Sequence, residues 1–192
     1  ISREAYTAGK YAFVSDVARV EALYQYGGVY MDTDVEVLKS FNPLLEAQCI
    51  LGMEEKEYVA TSFMAFEKGH PLVKEFLNLY EQLSFLDKKG QIIAGTNVAK
   101  LTKMLKEKGF VQENHYQELE NGIQIYPKEF FSPYDYINCH YNITENSYCV
   151  HYFAVSWMSK KEQVKKEIKK RIVKILGPEK MNEIREKLWK KN

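Results

Sequence analysis

The sequence is poor in the residues that crosslink small domains, and it lacks a long apolar run. Its three cysteines, Cys49, Cys139 and Cys149, are odd in number and widely spaced. This argues against a disulfide framework and against a structural zinc site. No apolar stretch approaches the ~18 residues that span a bilayer, and no signal-peptide pattern opens the chain. A reducing, cytoplasmic location is therefore expected. Because the first residue is Ile1, the sequence is expected to begin within a longer polypeptide.

The chain also lacks a strong overall charge, but its two parts differ in sign. Residues 159–192 carry 13 basic and 5 acidic residues, a net charge of +8. The preceding residues carry 14 basic and 21 acidic residues, a net charge of −7. A mildly acidic body is thus followed by a strongly basic tail. Positive charge confined to a tail, without a nucleic-acid motif, argues against nucleic-acid binding.

What is present is enough apolar sequence for one folded domain. The chain has 192 residues, of which 45% are hydrophobic, so it can bury a core. An apolar stripe predicts a helix over residues 10–25, which Gly27 and Gly28 end. Val29 to Met31 then form a short apolar run, predicted to be a buried parallel strand. Strands at residues 50–53, 61–66, 122–126 and 148–153 alternate with helices beginning at Pro71 and Thr96. This order predicts an α/β domain.

Asp32 and Asp34 follow the first predicted strand directly. Two aspartates spaced by two project to the same side if the chain stays extended, at the strand end where α/β sheets bind ligands. A divalent cation would relieve the repulsion between the two carboxylates and could hold a diphosphate. Alone, this pair is better explained as a solvated acidic turn.

Asp16 and Arg19 lie one turn apart on the preceding helix, at the edge of its apolar stripe. There they could hydrogen-bond sugar hydroxyls as acceptor and donor. A surface salt bridge is the alternative interpretation for these two residues.

These residues together resemble a known family. The segments Phe13–Arg19 and Tyr26–Asp34 form an ordered Ser-Asp-x-x-Arg and Gly-Gly-x-Tyr-x-Asp-x-Asp block over about 25 residues. The block resembles glycosyltransferase family thirty-two, whose sugar-binding region contains a DXD motif. That family includes bacterial capsular and surface polysaccharide enzymes and fungal mannosyltransferases, and the block is also similar to the large glucosylating toxins. Looser similarity covers most of residues 5–158.

The resemblance implies a GT-A nucleotide-sugar-binding fold and a retaining transfer from a UDP- or GDP-hexose, with Mn²⁺ or Mg²⁺. It implies that Asp34 binds the metal and that Asp32 faces the ribose and the metal shell, which makes both catalytic. It implies that Asp16 and Arg19 hold the donor sugar and that Tyr30 lines the donor pocket.

Later residues complete the expected site. His151 lies in an apolar strand, where a lone histidine is commonly a core residue, but related retaining enzymes place a late histidine on the metal. We therefore predict His151 as a third metal ligand. Ser156 and Trp157 match a segment that closes over the diphosphate. The acceptor would be a glycan or lipid-linked sugar in surface polysaccharide synthesis.

One part of the family pattern is missing. The expected first strand, which grips the nucleotide base, has no counterpart here, so residues 1–158 are predicted to form a GT-A domain without its N-terminal part. A truncated or inactive sugar-nucleotide-binding module is accordingly one alternative. An aspartyl-phosphate phosphatase is another, but its signature requires Thr or Val where Glu36 stands.

Residues 159–192 are predicted to form a basic amphipathic helical tail. Between residues 160 and 191, lysines and arginines are interleaved with apolar residues. Such a tail could lie on an anionic membrane surface, peripheral to the cytoplasmic face. Equally, its apolar stripe could pack on the domain.

Overall fold

A computed structural model describes residues 2–55, 58–87, 95–135, 138–154, 160–177, 180, 181 and 183. The helices are α1 (Ser2–Thr7), α2 (Tyr11–Tyr26), α3 (Pro71–Gln82), α4 (Asn97–Lys106), α5 (Lys128–Phe131) and α6 (Lys160–Leu176). The strands are β1 (Gly28–Met31), β2 (Val35–Val37), β3 (Cys49–Glu55), β4 (Tyr58–Val59), β5 (Phe63–Phe66), β6 (Gln117–Leu119), β7 (Ile123–Tyr126), β8 (Tyr134–Asp135), β9 (His140–Tyr141) and β10 (Cys149–His151). The chain is therefore mixed α/β.

The main sheet has the strand order β1-β5-β3-β7-β6, and β4 pairs with β3. Strands β3 and β7 run parallel, whereas β1 pairs antiparallel with β5, with Tyr30 opposite Met64. The prediction of a parallel, buried strand at Val29 to Met31 is therefore wrong in both respects, because β1 is antiparallel and its residues are only half-buried. The local pattern shows that a strand forms, but the partner comes from residues more than 30 positions later.

Alternating side chains of the sheet supply two hydrophobic layers. Leu51 and Met64 face the layer that contains helices α2, α3 and α4. Ile50 and Phe63 face the opposite layer, which contains Phe131 of α5. The sheet therefore separates two cores, and Tyr30 of β1 points toward the helical layer.

Helix α2 ends where the sequence predicts, at Gly27. This glycine has φ 68° and ψ −159°, and its N–H donates to the Leu23 carbonyl. A Cβ at this position would lie 2.6 Å from the backbone nitrogen of Lys68. Gly27 thus satisfies two requirements, an unusual backbone conformation and a close approach to a neighbouring loop. The sharp reversal places β1 directly against the end of α2.

A separate two-stranded sheet, β10 with β2, brings the late part of the chain to the carboxyl end of β1. His151 pairs with Val35, and the Tyr152 N–H donates to the Asp34 carbonyl at 3.0 Å. The main-chain pairing therefore fixes His151 beside Asp34. The next residue, Tyr152, donates its hydroxyl hydrogen bond to Glu36 of β2, 116 residues away in the sequence.

Residues Lys160–Leu176 of the basic segment form α6. Val173 on this helix is buried, whereas its other valine and isoleucine residues are exposed. None of the helices in the described ranges is long and apolar enough to cross a membrane.

Candidate functional site

The segment after β1 is a turn and does not continue extended. The Asp32 N–H donates to the Ser62 carbonyl at 2.8 Å, which keeps Asp32 against β5, and the Val35 N–H donates back to the Asp32 carbonyl at 3.1 Å. The expectation that an extended chain would align the two carboxylates is therefore wrong. The turn instead directs Asp32 toward α2 and Asp34 toward β10, while both remain at the same sheet edge.

The three side chains predicted to bind metal lie together. One ligand atom from each of Asp32, Asp34 and His151 lies within 4.8 Å of the other two. His151 is nearly buried, whereas the two carboxylates are about one-quarter exposed. Two carboxylates and one imidazole form a ligand set that suits Mn²⁺ and is also compatible with other divalent transition metals.

The separation of two of these ligands fits a shared cation. His151 Nε2 lies 3.4 Å from Asp34 Oδ1. Two ligands at right angles, each ~2.1 Å from one octahedral cation, are held about 3 Å apart. The other oxygen, Asp34 Oδ2, accepts the Ala154 N–H at 2.7 Å, which fixes the carboxylate plane. Asp34 and His151 thus form an oriented pair of potential ligands.

Arg19 connects this cluster to α2. Its Nη1 lies 3.0 Å from Asp32 Oδ1 and donates to the Thr61 carbonyl at 3.0 Å. Its Nη2 lies 3.2 Å from Asp16 Oδ1 and 3.3 Å from Ser15 Oγ, and Nε donates to the Ser15 carbonyl. The side chain is 8% exposed. The alternative of a simple surface salt bridge is therefore wrong, because the guanidinium is buried and bridges two carboxylates.

Asp16 is the most buried of the three site carboxylates. The pKa of its carboxyl is raised to about 6, mainly by burial and also by the charge of Asp32, whereas Arg19, Lys100 and Asn97 lower it. Asn97 Nδ2 donates to Asp16 Oδ1 at 2.7 Å. The carboxyl is therefore held in place by two donors on one oxygen, and its pKa lies closer to neutrality than that of an ordinary aspartate.

Tyr30 contacts the same oxygen of Asp32 as Arg19 does. Its hydroxyl donates to Asp32 Oδ1 at 2.6 Å, and the Arg19 guanidinium carbon lies 4.6 Å from the centre of its ring. Burial and this hydrogen bond raise the pKa of the Tyr30 hydroxyl, which keeps it protonated as a donor. Tyr30 thus orients one of the candidate metal ligands.

The structure brings together six of the eight residues predicted for the site: Asp16, Arg19, Tyr30, Asp32, Asp34 and His151. Ser156 and Trp157 lie outside the described residues. Sequence reasoning missed Asn97, which the structure places at the first position of α4. Thr96 signals the helix start, but nothing in the local sequence indicates that the next side chain reaches α2.

Comparisons with known proteins relate part of the chain to glycosyltransferases. Residues 2–51 match the family described as "Glycosyltransferase sugar-binding region containing DXD motif". The chain is 30% identical over 125 residues to lactosylceramide 4-alpha-galactosyltransferase of Mus musculus, covering 65% of this chain and 33% of that enzyme. It is 31% identical over 71 residues to inositol phosphoceramide mannosyltransferase 3 of Schizosaccharomyces pombe, covering 37% of this chain and 20% of that enzyme.

The chain thus spans about a third of the mouse relative's length and a fifth of the yeast relative's. No solved structure matches it at a significant level. The matched region contains α2, β1 and the Asp32-Thr33-Asp34 segment, whereas His151 and Asn97 of the candidate site lie outside it. Residues 2–51 are thus similar to the DXD-containing sugar-binding region of glycosyltransferases, and the mouse and yeast relatives that match the chain are glycosyltransferases by name.

Proposed function

We propose that this chain forms the donor site of a retaining, metal-dependent glycosyltransferase that transfers a hexose from a UDP- or GDP-sugar. The observation that carries the proposal is the junction of two clusters at one sheet edge. Asp32, Asp34 and His151 can hold a cation, and Arg19 links them to Asp16, a carboxyl suited to a sugar hydroxyl. The mixed sheet with helices packed against it is consistent with a GT-A fold.

Different residues of the site would contact the diphosphate, the metal and the sugar of the donor. Asp34, His151 and the second oxygen of Asp32 would hold Mn²⁺ or Mg²⁺, which would neutralise the diphosphate as it leaves. Asp16 accepts a hydrogen bond from a sugar hydroxyl, while Asn97 fixes its orientation. Ser156 and Trp157 stay proposed residues for closing over the diphosphate. A retaining reaction needs no separate base, since the departing phosphate lies on the face that the acceptor attacks.

The acceptor is proposed to be a glycan or a lipid-linked sugar. The resemblance to surface polysaccharide enzymes supports a glycan, whereas the names of the mouse and yeast relatives both refer to ceramide lipids. A cytoplasmic location, peripheral to the membrane, is proposed with it. The three cysteines form no disulfide, which is consistent with a reducing compartment.

The test is donor hydrolysis by the full protein with Mn²⁺, in a panel of UDP- and GDP-sugars chosen by thermal stabilisation. We expect release of nucleoside diphosphate that is lost in Asp34→Ala. Mn²⁺ binding measured by calorimetry should be lost in the same variant. Glu81→Ala removes an exposed carboxylate of α3 and serves as the control, with hydrolysis and Mn²⁺ binding unchanged.

The same experiment separates the alternatives. If Asp34→Ala hydrolyses the donor as well as the native protein does, the metal-site proposal is wrong. If the native protein binds Mn²⁺ and one nucleotide sugar tightly but never releases the diphosphate, the chain is a binding module and not an enzyme.

A further inference from the structure

Helix α6 exposes a continuous apolar stripe. The exposed fractions are 58% for Val164, 53% for Ile168, 40% for Ile172 and 81% for Ile175. At 100° per residue these four side chains occupy an arc of about 80° on one side of the helix. Val173, which is 5% exposed, lies on the opposite side. The helix therefore contacts the rest of the protein through its other face. Within the described residues, the apolar stripe does not pack on the domain, so that alternative is wrong.

Basic side chains border this stripe on both sides. Lys165 lies along one edge, and Arg171 and Lys174 lie along the other, by the same angular spacing. Residues 160–177 carry eight basic and two acidic residues, a net charge of +6. One of the two acidic residues, Glu167, pairs with Lys170 at 3.5 Å. The exposed face therefore combines a narrow apolar centre with positively charged borders.

The apolar centre and the basic borders together favour one binding partner for this face of α6. A second copy of the helix would cover the apolar stripe but would bring a charge of +6 against +6. A nucleic acid would satisfy the charge but would leave the aliphatic side chains without a partner. An anionic membrane surface satisfies both, because acyl chains receive the apolar centre while lipid headgroups pair with lysine and arginine at the interface.

We infer that α6 is a membrane-surface helix, which inserts Val164, Ile168, Ile172 and Ile175 into the acyl boundary of an anionic bilayer. Lys165, Arg171 and Lys174 reach the headgroups from either side of the stripe. The inference does not depend on glycosyl transfer. If the proposed function also holds, this contact would bring the donor site to a lipid-linked acceptor.

Sedimentation with vesicles tests the inference on the full protein. Vesicles of neutral phosphatidylcholine are compared with vesicles in which roughly one-third of the lipid is phosphatidylglycerol. We expect binding to the anionic vesicles at least tenfold tighter than to the neutral ones, and weaker binding as salt rises. Replacing Lys165 and Arg171 by Gln should weaken binding roughly 25-fold, because each basic residue near the surface contributes about fivefold.

The apolar contribution needs a matched comparison. Ile168→Ser with Ile172→Ser should abolish sedimentation while leaving the thermal unfolding temperature unchanged, since both side chains are exposed. Leu45→Ser with Val111→Ser removes two exposed apolar side chains elsewhere and should bind vesicles like the native protein.

Three outcomes would overturn the inference. One is equal binding to neutral and anionic vesicles. Another is native-like sedimentation of the double serine variant of α6. The third is a native protein that does not bind vesicles but forms a dimer, when the double serine variant of α6 stays monomeric. That result would mean that the apolar stripe binds a second copy of the chain.

Discussion

The ionised Asp16 carboxylate should lower the free energy of unfolding of the protein at neutral pH. Burial is the main cause of its raised pKa, and the side chain is only 15% exposed. The pKa rises from 3.8 to about 6. At ~1.4 kcal/mol per pH unit, the difference corresponds to about 3 kcal/mol of lost stability once the carboxyl is ionised.

The direction of the pH dependence follows from this rise. Below pH 4 the carboxyl is protonated in both the folded and the unfolded chain, so it carries no penalty. Between pH 4 and pH 6 the folded state binds more protons than the unfolded state, and stability falls as pH increases. Above pH 6 the full penalty is present. Asp16→Asn keeps the shape of the side chain and its Oδ1 acceptor for Arg19 and Asn97, but it removes the charge.

We therefore expect Asp16→Asn to be more stable than the native protein by up to about 3 kcal/mol at pH 8 and equal to it near pH 4. Urea unfolding at pH 4.5, 6 and 8, with a chelator present, measures the difference. Donor binding should be lost in the same variant, because an amide oxygen is a weaker acceptor for a sugar hydroxyl than a carboxylate. Glu81→Gln removes an exposed carboxylate as a control. A stability difference that stays constant across the pH series, or a variant less stable than native at pH 8, would refute the reasoning.

Two further substitutions test how the site is positioned. Gly27→Ala should destabilise the protein by more than about 3 kcal/mol, because it combines a glycine-only backbone conformation with a Cβ 2.6 Å from the Lys68 nitrogen. Gly9 has a similar φ of 67°, but a Cβ added there would meet open space. Gly9→Ala should therefore cost only about 1–2 kcal/mol. Equal losses of unfolding free energy for the two variants in urea would contradict the argument from steric contact. Asn97→Ala should raise the donor KM roughly tenfold with a smaller change in kcat, since a hydrogen bond to a charged group contributes about 1.5–3 kcal/mol; an unchanged KM would mean that Asn97 does not orient Asp16.

The sequence is informative where structure depends on neighbours along the chain. The apolar stripe and Gly27 predict α2 to within one residue at each end. Pro71 and Thr96 mark the first residue and the N-cap of α3 and α4, respectively, and the Thr96 hydroxyl accepts the Ala99 N–H as a cap should. These signals are local because the unpaired N–H groups of a first turn are satisfied within four residues.

The contacts that complete the site are not local. Asn97 reaches Asp16 across 81 residues, and the Ala154 N–H reaches Asp34 across 120 residues. The direction of β1 fails as a prediction for the same reason, because its partner β5 begins at Phe63. Residue types predicted which side chains belong to the site, whereas the packing of α4 and β10 decides how those side chains are oriented.

The orientation of these side chains also limits whether Arg19 can bind the sugar directly. Its guanidinium nitrogens already contact five acceptors within 3.3 Å, which matches the five N–H groups it carries. A sugar hydroxyl could bond to Arg19 only by displacing one of them. Both contacted carboxylates use Oδ1 for this network, and no residue in the described ranges hydrogen-bonds to either Oδ2. Arg19 is thus placed to hold Asp16 and Asp32 at a fixed separation, and in the proposed donor site the Oδ2 of Asp16 would accept from a sugar hydroxyl while the Oδ2 of Asp32 would bind the cation.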